Sequence, residues 1–534
     1  MTTLLTGGRI YSPTHPDATA MAVRGDVIAW IGSDQVGRDQ FPEARVVDLA
    51  GAFVAPAFVD SHVHVTATGL TRLGLDLREA TSKAHCLRLI ADHAAACGSQ
   101  DVVWAHGWDD SDWPDGAPTT AELDAAVQAR PAYVARVDVH SALASTALRV
   151  RAPELAAAAG FDADAALTAE AHHRVRAAAR TLLPPEQRAQ ARRLALDAFA
   201  AAGVVAVHEC AGPDIGGLDD WREVRATRHA VEVTGYWGEA VRTAAQARAL
   251  IDATGARGLG GDLFVDGALG SRTAWLHEPY ADAPHTCGNS YLDDDALSAH
   301  LSACTEAGIT AGFHVIGDRA VDAAVAAFAR VVEVHGVAAV ARCGHRLEHL
   351  EMVTDAQAAQ LGSWGVIGSV QPNFDALWGG PEGMYARRLG GARAERLNPF
   401  ALLASQGVPL AFGSDAPVTD IDPWHTVRAA TAHHTAGSSI SPRAAFAAAT
   451  RGGWRAAGIR DGVTGTLVPG APASYALWRV DELEVAAPAD AVQRWSTEPG
   501  SRVPALPRLG PDDASPRCLQ TVHRGAVIYG ADDG

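Results

Sequence analysis

The chain is short of positive charge. Lysine and arginine total 44 against 62 aspartates and glutamates, a formal net charge of −18, and only one of the 44 is a lysine, Lys83. A balance this acidic argues against a nucleic-acid partner and against an anionic membrane surface. No basic patch with interleaved aromatics occurs anywhere. Cysteine is scarce and scattered: Cys86, Cys97, Cys210, Cys287, Cys304, Cys343 and Cys518 are odd in number and form no close pairs. That fits reduced thiols in a cytoplasmic enzyme better than a disulfide framework. No apolar run approaches the roughly 20 residues that span a bilayer. The opening residues, Met1 to Gly8, lack the charged and apolar regions of a signal peptide.

What is present is ordinary globular composition, 48% hydrophobic and 20% charged over 534 residues. That length suits one large barrel domain plus an accessory domain. Residues 4–54 alternate short β-type runs with glycine turns and read as a small all-β unit. From 459 to 534 the β texture returns, so 1–55 and 459–534 are expected to form one β-sandwich from both chain ends, with 484–518 a proline-rich surface excursion. Residues 56–458 make the barrel domain. Within it, 66–200 reads as an insertion: helices near 83–97, 153–159, 170–181 and 185–202 around a tryptophan-rich loop, 104–114. Trp108 or Trp113 of that loop could face substrate, or both could be scaffold.

After residue 200 strand alternates with helix. Strands are expected at 203–209, 230–234, 262–266, 310–314, 346–349, 366–371 and 409–415, separated for the most part by helical stretches. With Phe58–Val65 this makes eight, the number that closes a (β/α)8 TIM barrel, an α/β fold with its active site at the C-terminal strand ends.

The first of these strands carries His62 and His64. Positions i and i+2 of a strand face the same way, so both imidazoles can enter one cavity. His314, His349 and Asp415 each end a later apolar run, where a barrel would make them converge. Nitrogen ligands with one carboxylate suit zinc or a similar divalent ion with a position left open for water.

The motifs Asp60-Ser61-His62-Val63-His64, Asp266 to Ala274, His314 to Ala320, His345-Arg346-Leu347-Glu348-His349, Ser369-Val370-Gln371-Pro372 and Gly413 to Pro417 carry a resemblance. Together they resemble the metal-dependent amidohydrolase superfamily, amidohydrolase family 3, in particular its N-substituted formamide deformylase-like branch. The resemblance implies His62, His64, His314, His349 and Asp415 as metal-site residues. It places Asp266, Ser271, Arg272 and Gln371 near substrate; alternatively Gly267 and Gly270 mark a turn whose polar residues satisfy backbone groups. Many members carry a carboxylated lysine that bridges two metals, four residues before the Asp-Gly of strand four. Here that residue is Asp262, several bonds shorter, and the lone lysine lies in the insertion. One tightly bound ion is therefore expected, with His349 as relay or polariser. The alternative is a second ion held with Glu209, Cys210 being a weaker candidate.

The expected reaction is hydrolysis of a C–N bond in a small amide, formamide or carbamate by metal-activated water. Asp415 would move the proton, and His349 and Arg272 would stabilise the oxyanion. An aminohydrolase acting on a heterocycle and a catalytically silent scaffold are the competing classes. The expected partner is a small-molecule substrate, with a homodimer left open.

Overall fold

The computed structural model describes residues 2–98, 101–485, 504–510 and 513–531. Most of the 484–518 excursion lies outside the described residues. Eight parallel strands form one sheet in chain order: β1 (Phe58–Val63), β2 (Val204–Ala211), β3 (Glu232–Trp237), β4 (Gly258–Leu259), β5 (Thr310–Val315), β6 (Arg346–His349), β7 (Ile367–Val370) and β8 (Leu410–Phe412). The sheet curls until its edges meet. Val63 bridges Ala416 beyond β8, the Asp415 N–H donates to the His62 carbonyl at 2.8 Å, and the His64 N–H donates to the Ala416 carbonyl at 2.9 Å. Every residue of β1, β2, β5, β6 and β7 is buried. Strands covered on both faces read as continuous apolar runs, which is why these were visible in the sequence.

Strand four differs from expectation. Its ladder is only Gly258–Leu259; Gly260 and Gly261 interrupt it, Gly261 at φ +69°, after which Leu263 and Val265 hydrogen-bond to His314 on either side of the Phe264 bridge. The apolar run 262–266 has strand composition, but the glycine pair before it offers no side chain to hold a pleat.

The insertion, expected as helices around a loop, holds a sheet of its own. Five strands, in the order Leu167–Thr168, Ser141–Ala144, Ala132–Arg136, Val103–Trp108, Leu75–Asp76, form a separate sheet with apolar clusters on it. Trp104 and Trp108 thus belong to a fully buried strand rather than a loop, and 153–159 holds only a 3-10 turn, Leu155–Ala157. Helix α1 (Val65–Leu73) enters the insertion and α2 (Ala169–Thr181) leaves it. Helix α3 (Pro185–Ala201) buries Ala195, Leu196 and Phe199 in the barrel's apolar cluster and Ala191 in that of the insertion. α1 crosses α3 at Gly69, where a Cβ would lie 1.8 Å from the Ala191 carbonyl oxygen; only glycine allows that approach.

Both chain ends meet beside the barrel. A four-stranded sheet (Val27–Gly32, Ala20–Arg24, Thr2–Thr6, Arg45–Asp48) and a five-stranded one (Arg9–Ile10, Phe53–Pro56, Tyr475–Arg479, Arg517–His523, Ala526–Gly530) share a core that includes Leu5, Met21, Val54, Leu477 and Val522. Among the described residues no single helix is long and apolar enough to cross a membrane.

Candidate metal centre

Six side chains from five strand ends converge. The Nε2 atoms of His62 and His64 lie 3.3 and 3.2 Å from the two carboxylate oxygens of Asp262, just as period-two spacing on β1 requires. From the far side of the ring, His314 Nδ1 and His349 Nε2 stand 3.5 and 3.9 Å from Asp262 Oδ1. Asp415 Oδ1 lies 3.5 Å from His62 Nε2 and 3.4 Å from His64 Nε2.

The outward hydrogen bonds of three histidines decide what faces the centre. His62 Nδ1–H donates to Glu348 at 2.9 Å, His349 Nδ1–H to Gln371 Oε1 at 2.8 Å, and His314 Nε2–H to the Gly267 carbonyl at 3.3 Å. In each neutral ring the other nitrogen then presents a lone pair inward. Those atoms, His62 Nε2, His349 Nε2 and His314 Nδ1, are buried without a hydrogen-bond partner among the described residues, as are Asp262 Oδ1 and Asp415 Oδ1. Lone pairs set against carboxylate oxygens repel unless positive charge sits among them. The same field acts on His64: burial opposes its protonation, yet Asp262 and Asp415 push it up to about 9. The donor set therefore fits a divalent cation.

Asp262 is the residue that sequence reasoning misjudged. It is several bonds shorter than a carboxylated lysine and was not expected to span the same gap, yet its carboxylate lies among the histidines. Gly260-Gly261 interrupts the ladder just before it; across from it a Cβ on Gly238 would lie 2.6 Å from the Asp262 carbonyl oxygen, so glycine is needed there too. Asp262 consequently belongs to two ligand groups, one with His62 and His64 and one with His314 and His349. The Gly-Gly pair just before it was the available signal. Glu209, the expected second-ion ligand, instead accepts the Val65 N–H at 2.6 Å at the start of α1, and burial pushes it up to about 7. Burial likewise pushes the Cys210 thiol up to about 12, which keeps its proton on.

Beneath the histidines runs a buried support. Arg346 donates to both oxygens of Glu348, to the Ser61 carbonyl at 2.6 Å and to Ser369 Oγ at 2.8 Å, with its guanidinium 4.3 Å from the centre of the Tyr236 ring. Burial alone would raise the Glu348 pKa, but Arg346 and His62 hold it well below the carboxylate range. Asp60 accepts the Ser414 N–H at 2.9 Å and the His62 N–H at 3.3 Å, tying the first strand to the loop that carries Asp415. His349 and Asp415 both have left-handed backbone, φ 68° and 55°, a strain that only surrounding structure can hold in place.

A narrow cavity opens onto the cluster, and a second, smaller lobe shares His140, His314, His349 and Asp415 with it. The remaining sequence candidates do not line it. Trp108 and Trp113 sit in the insertion core, Trp108 donating to the Val134 carbonyl at 2.9 Å. Arg272 is ion-paired to Asp282 at 2.8 Å, away from the cluster. Asp266 accepts three backbone N–H groups, from Trp275, Ile316 and Gly317, and Ser271 donates to Asp138 at 2.7 Å. Asp266 thus satisfies backbone groups, as the structural alternative has it, whereas Ser271 bonds a side chain, Asp138, that itself lines both lobes. Gln371 orients His349. His140, which sequence reasoning did not single out, arrives from the insertion with its ring 5.0 Å from that of His314.

The amidohydrolase family model, family 3, matches residues 45–529. Among curated proteins, the chain is 26% identical over 460 residues to protein LONG AFTER FAR-RED 3 of Arabidopsis thaliana, covering 80% of this chain and 77% of that protein. It is 27% identical over 465 residues to the putative amidohydrolase YtcJ of Bacillus subtilis, covering 79% and 82%. Among solved structures, an uncharacterized metal-dependent hydrolase from Pyrococcus furiosus superposes with a TM-score of 0.67 at 25% identity, covering 89% of this chain and 98% of that one. Its counterpart from Pyrococcus horikoshii gives 0.68 at 25%, covering 90% and 98%. The family match spans most of the chain and takes in all six converging side chains: the protein belongs to the amidohydrolase family.

Proposed function

We propose that the protein is a metal-dependent hydrolase of a C–N bond in a small amide, the N-substituted formamides being the narrower candidate class. One observation carries this: inward-facing, unpartnered nitrogen and oxygen atoms from opposite sides of a closed barrel meet at one cavity. His62 and His64 would hold one divalent ion and His314 and His349 a second, with Asp262 shared between them; zinc suits the nitrogen-rich set. Ions held there supply Lewis acidity, which lowers the pKa of water and polarises a carbonyl. Asp415, buried beside both His62 and His64, takes a proton from the attacking water and returns it to the departing nitrogen. With Arg272 engaged by Asp282, His140 is the cavity-facing group placed to steady charge on the carbonyl oxygen.

The shared core of the two terminal sheets supports a composite β-sandwich from 1–55 and 459–534, with the barrel as the second domain. All seven cysteines are free, in keeping with a cytoplasmic location. The partner is a small molecule, and a homodimer is the simplest assembly.

The test is metal analysis of the purified protein together with a screen of N-formyl and N-acyl amines, with zinc, cobalt or manganese and with chelator. About two ions per chain and carboxylate release lost on chelation are expected. Full turnover in chelator, or ammonia released from heterocycles with no amide cleaved, overturns the proposal.

A further inference from the structure

The insertion sends a second set of charged groups into the same cavity. His173, Arg176 and Arg180 lie at i, i+3 and i+7 on α2, hence on one face, and all three line the cavity together with Asp262, His349 and Asp415. Arg176 is 7% exposed and forms no ion pair among the described residues; its Nη2 donates to the Asp214 backbone carbonyl, and its Nε has no partner. Arg180 is little better served. Among the described residues its Nε and Nη1 make no hydrogen bond, and the carboxylate it pairs with, Asp220 at 3.9 Å, is also approached by Arg192 at 3.6 Å. Two guanidinium groups four residues apart on one helix repel, and burying one with no ion-pair partner among the described residues, as at Arg176, is costly. The second lobe carries no arginine or lysine and is lined by Phe374, Trp378 and Met384 beside the carboxyl groups of Asp138 and Glu351. The metal-cluster residues His314, His349 and Asp415 line both lobes, so the cluster lies where they meet.

We propose that Arg176 and Arg180 bind a carboxylate on the substrate, which spans the cluster with its acid toward α2 and an apolar group in the aromatic lobe. The inference rests on the amide-hydrolase reading and narrows it to acid-bearing amides. Guanidinium forks match carboxylates in shape and charge, and a hydrogen bond to a charged group discriminates more strongly than added apolar contact.

The probes are two matched pairs: N-benzoylglycine against N-methylbenzamide, with the acid on the amine side, and N-phenylsuccinamate against acetanilide, with the acid on the acyl side. Both binding, by calorimetry on the metal-loaded protein, and turnover are measured. For at least one pair the acid is expected to bind roughly 10- to 100-fold more tightly than its neutral partner. Arg176→Gln and Arg180→Gln should each erase most of that preference while leaving metal content and affinity for the neutral amide unchanged. Arg180→Gln, at the more accessible position, serves if Arg176→Gln does not fold. Preferential binding of an acid without cleavage would leave this site standing and sink the hydrolase reading. Cleavage of neutral amides with no preference for either acid, a preference that survives both substitutions, or no binding of either acid would overturn the carboxylate site.

Discussion

At the scale of single residues, the centre works by committing one side of each donor so that the other is free. Among the described residues Asp415 Oδ1 has no hydrogen-bond partner, whereas its backbone is pinned to β1 through His62. Asp415→Asn should therefore keep the fold and most metal but lose turnover roughly 10²- to 10⁴-fold, the range for general acid–base catalysis; near-normal kcat would remove Asp415 from the proton path. Asp262 stands between both ligand groups, so Asp262→Asn should lower the content of both ions together, read by elemental analysis after dialysis. Loss of one ion alone would contradict a shared ligand. Glu348 touches no proposed ion, yet it orients His62 and is held by buried Arg346. Glu348→Gln should weaken metal affinity roughly 10- to 100-fold, as loss of an outer hydrogen bond to a ligating histidine does.

At the scale of elements, the point of control is the short fourth strand. The left-handed Gly261 directly precedes Asp262 and sets the path by which its side chain enters the centre. Gly261→Ala introduces a Cβ at φ +69°, 3.0 Å from Cys210 Sγ. It should cost about 1–3 kcal/mol of backbone strain, seen as a lower thermal midpoint, and should weaken metal retention by displacing Asp262. An unchanged metal content would show that the turn does not set the position of the ligand. His62, His64, His314, His349 and Asp415 were legible in the sequence because each ends an apolar run, and barrel geometry does the rest. Asp262, Arg346 and His140 were not, since each depends on a backbone path or on a neighbour hundreds of residues away.

At the scale of the whole molecule, stability couples to pH through histidines far from the centre. His300 accepts the Val241 N–H on Nδ1 and donates from Nε2 to the Leu259 carbonyl, so the neutral ring is fully used; burial pushes its pKa down to about 4. The unfolded chain takes up this proton below its ordinary pKa of about 6.5 while the native state does not. The contribution is thus present above that pH and fades as pH falls toward 4, at a limiting slope of ~1.4 kcal/mol per pH unit. His300→Gln keeps a donor and an acceptor but cannot titrate. The thermal midpoint of wild type should drop more than that of the variant between pH 7.5 and pH 5; parallel curves would refute the assignment.

The sequence by itself determined the class of the molecule. Eight apolar runs need a closed parallel sheet to cover both faces, and period-two histidines on the first must share a cavity. Only the tertiary structure decided which acid lies between the histidines, which tryptophans are core, and which arginines line the pocket. Apolar periodicity reports what each segment buries, a local property. Where a side chain ends up relative to residues far along the chain depends on turns such as Gly260-Gly261 and on the packing of the insertion over the strand ends.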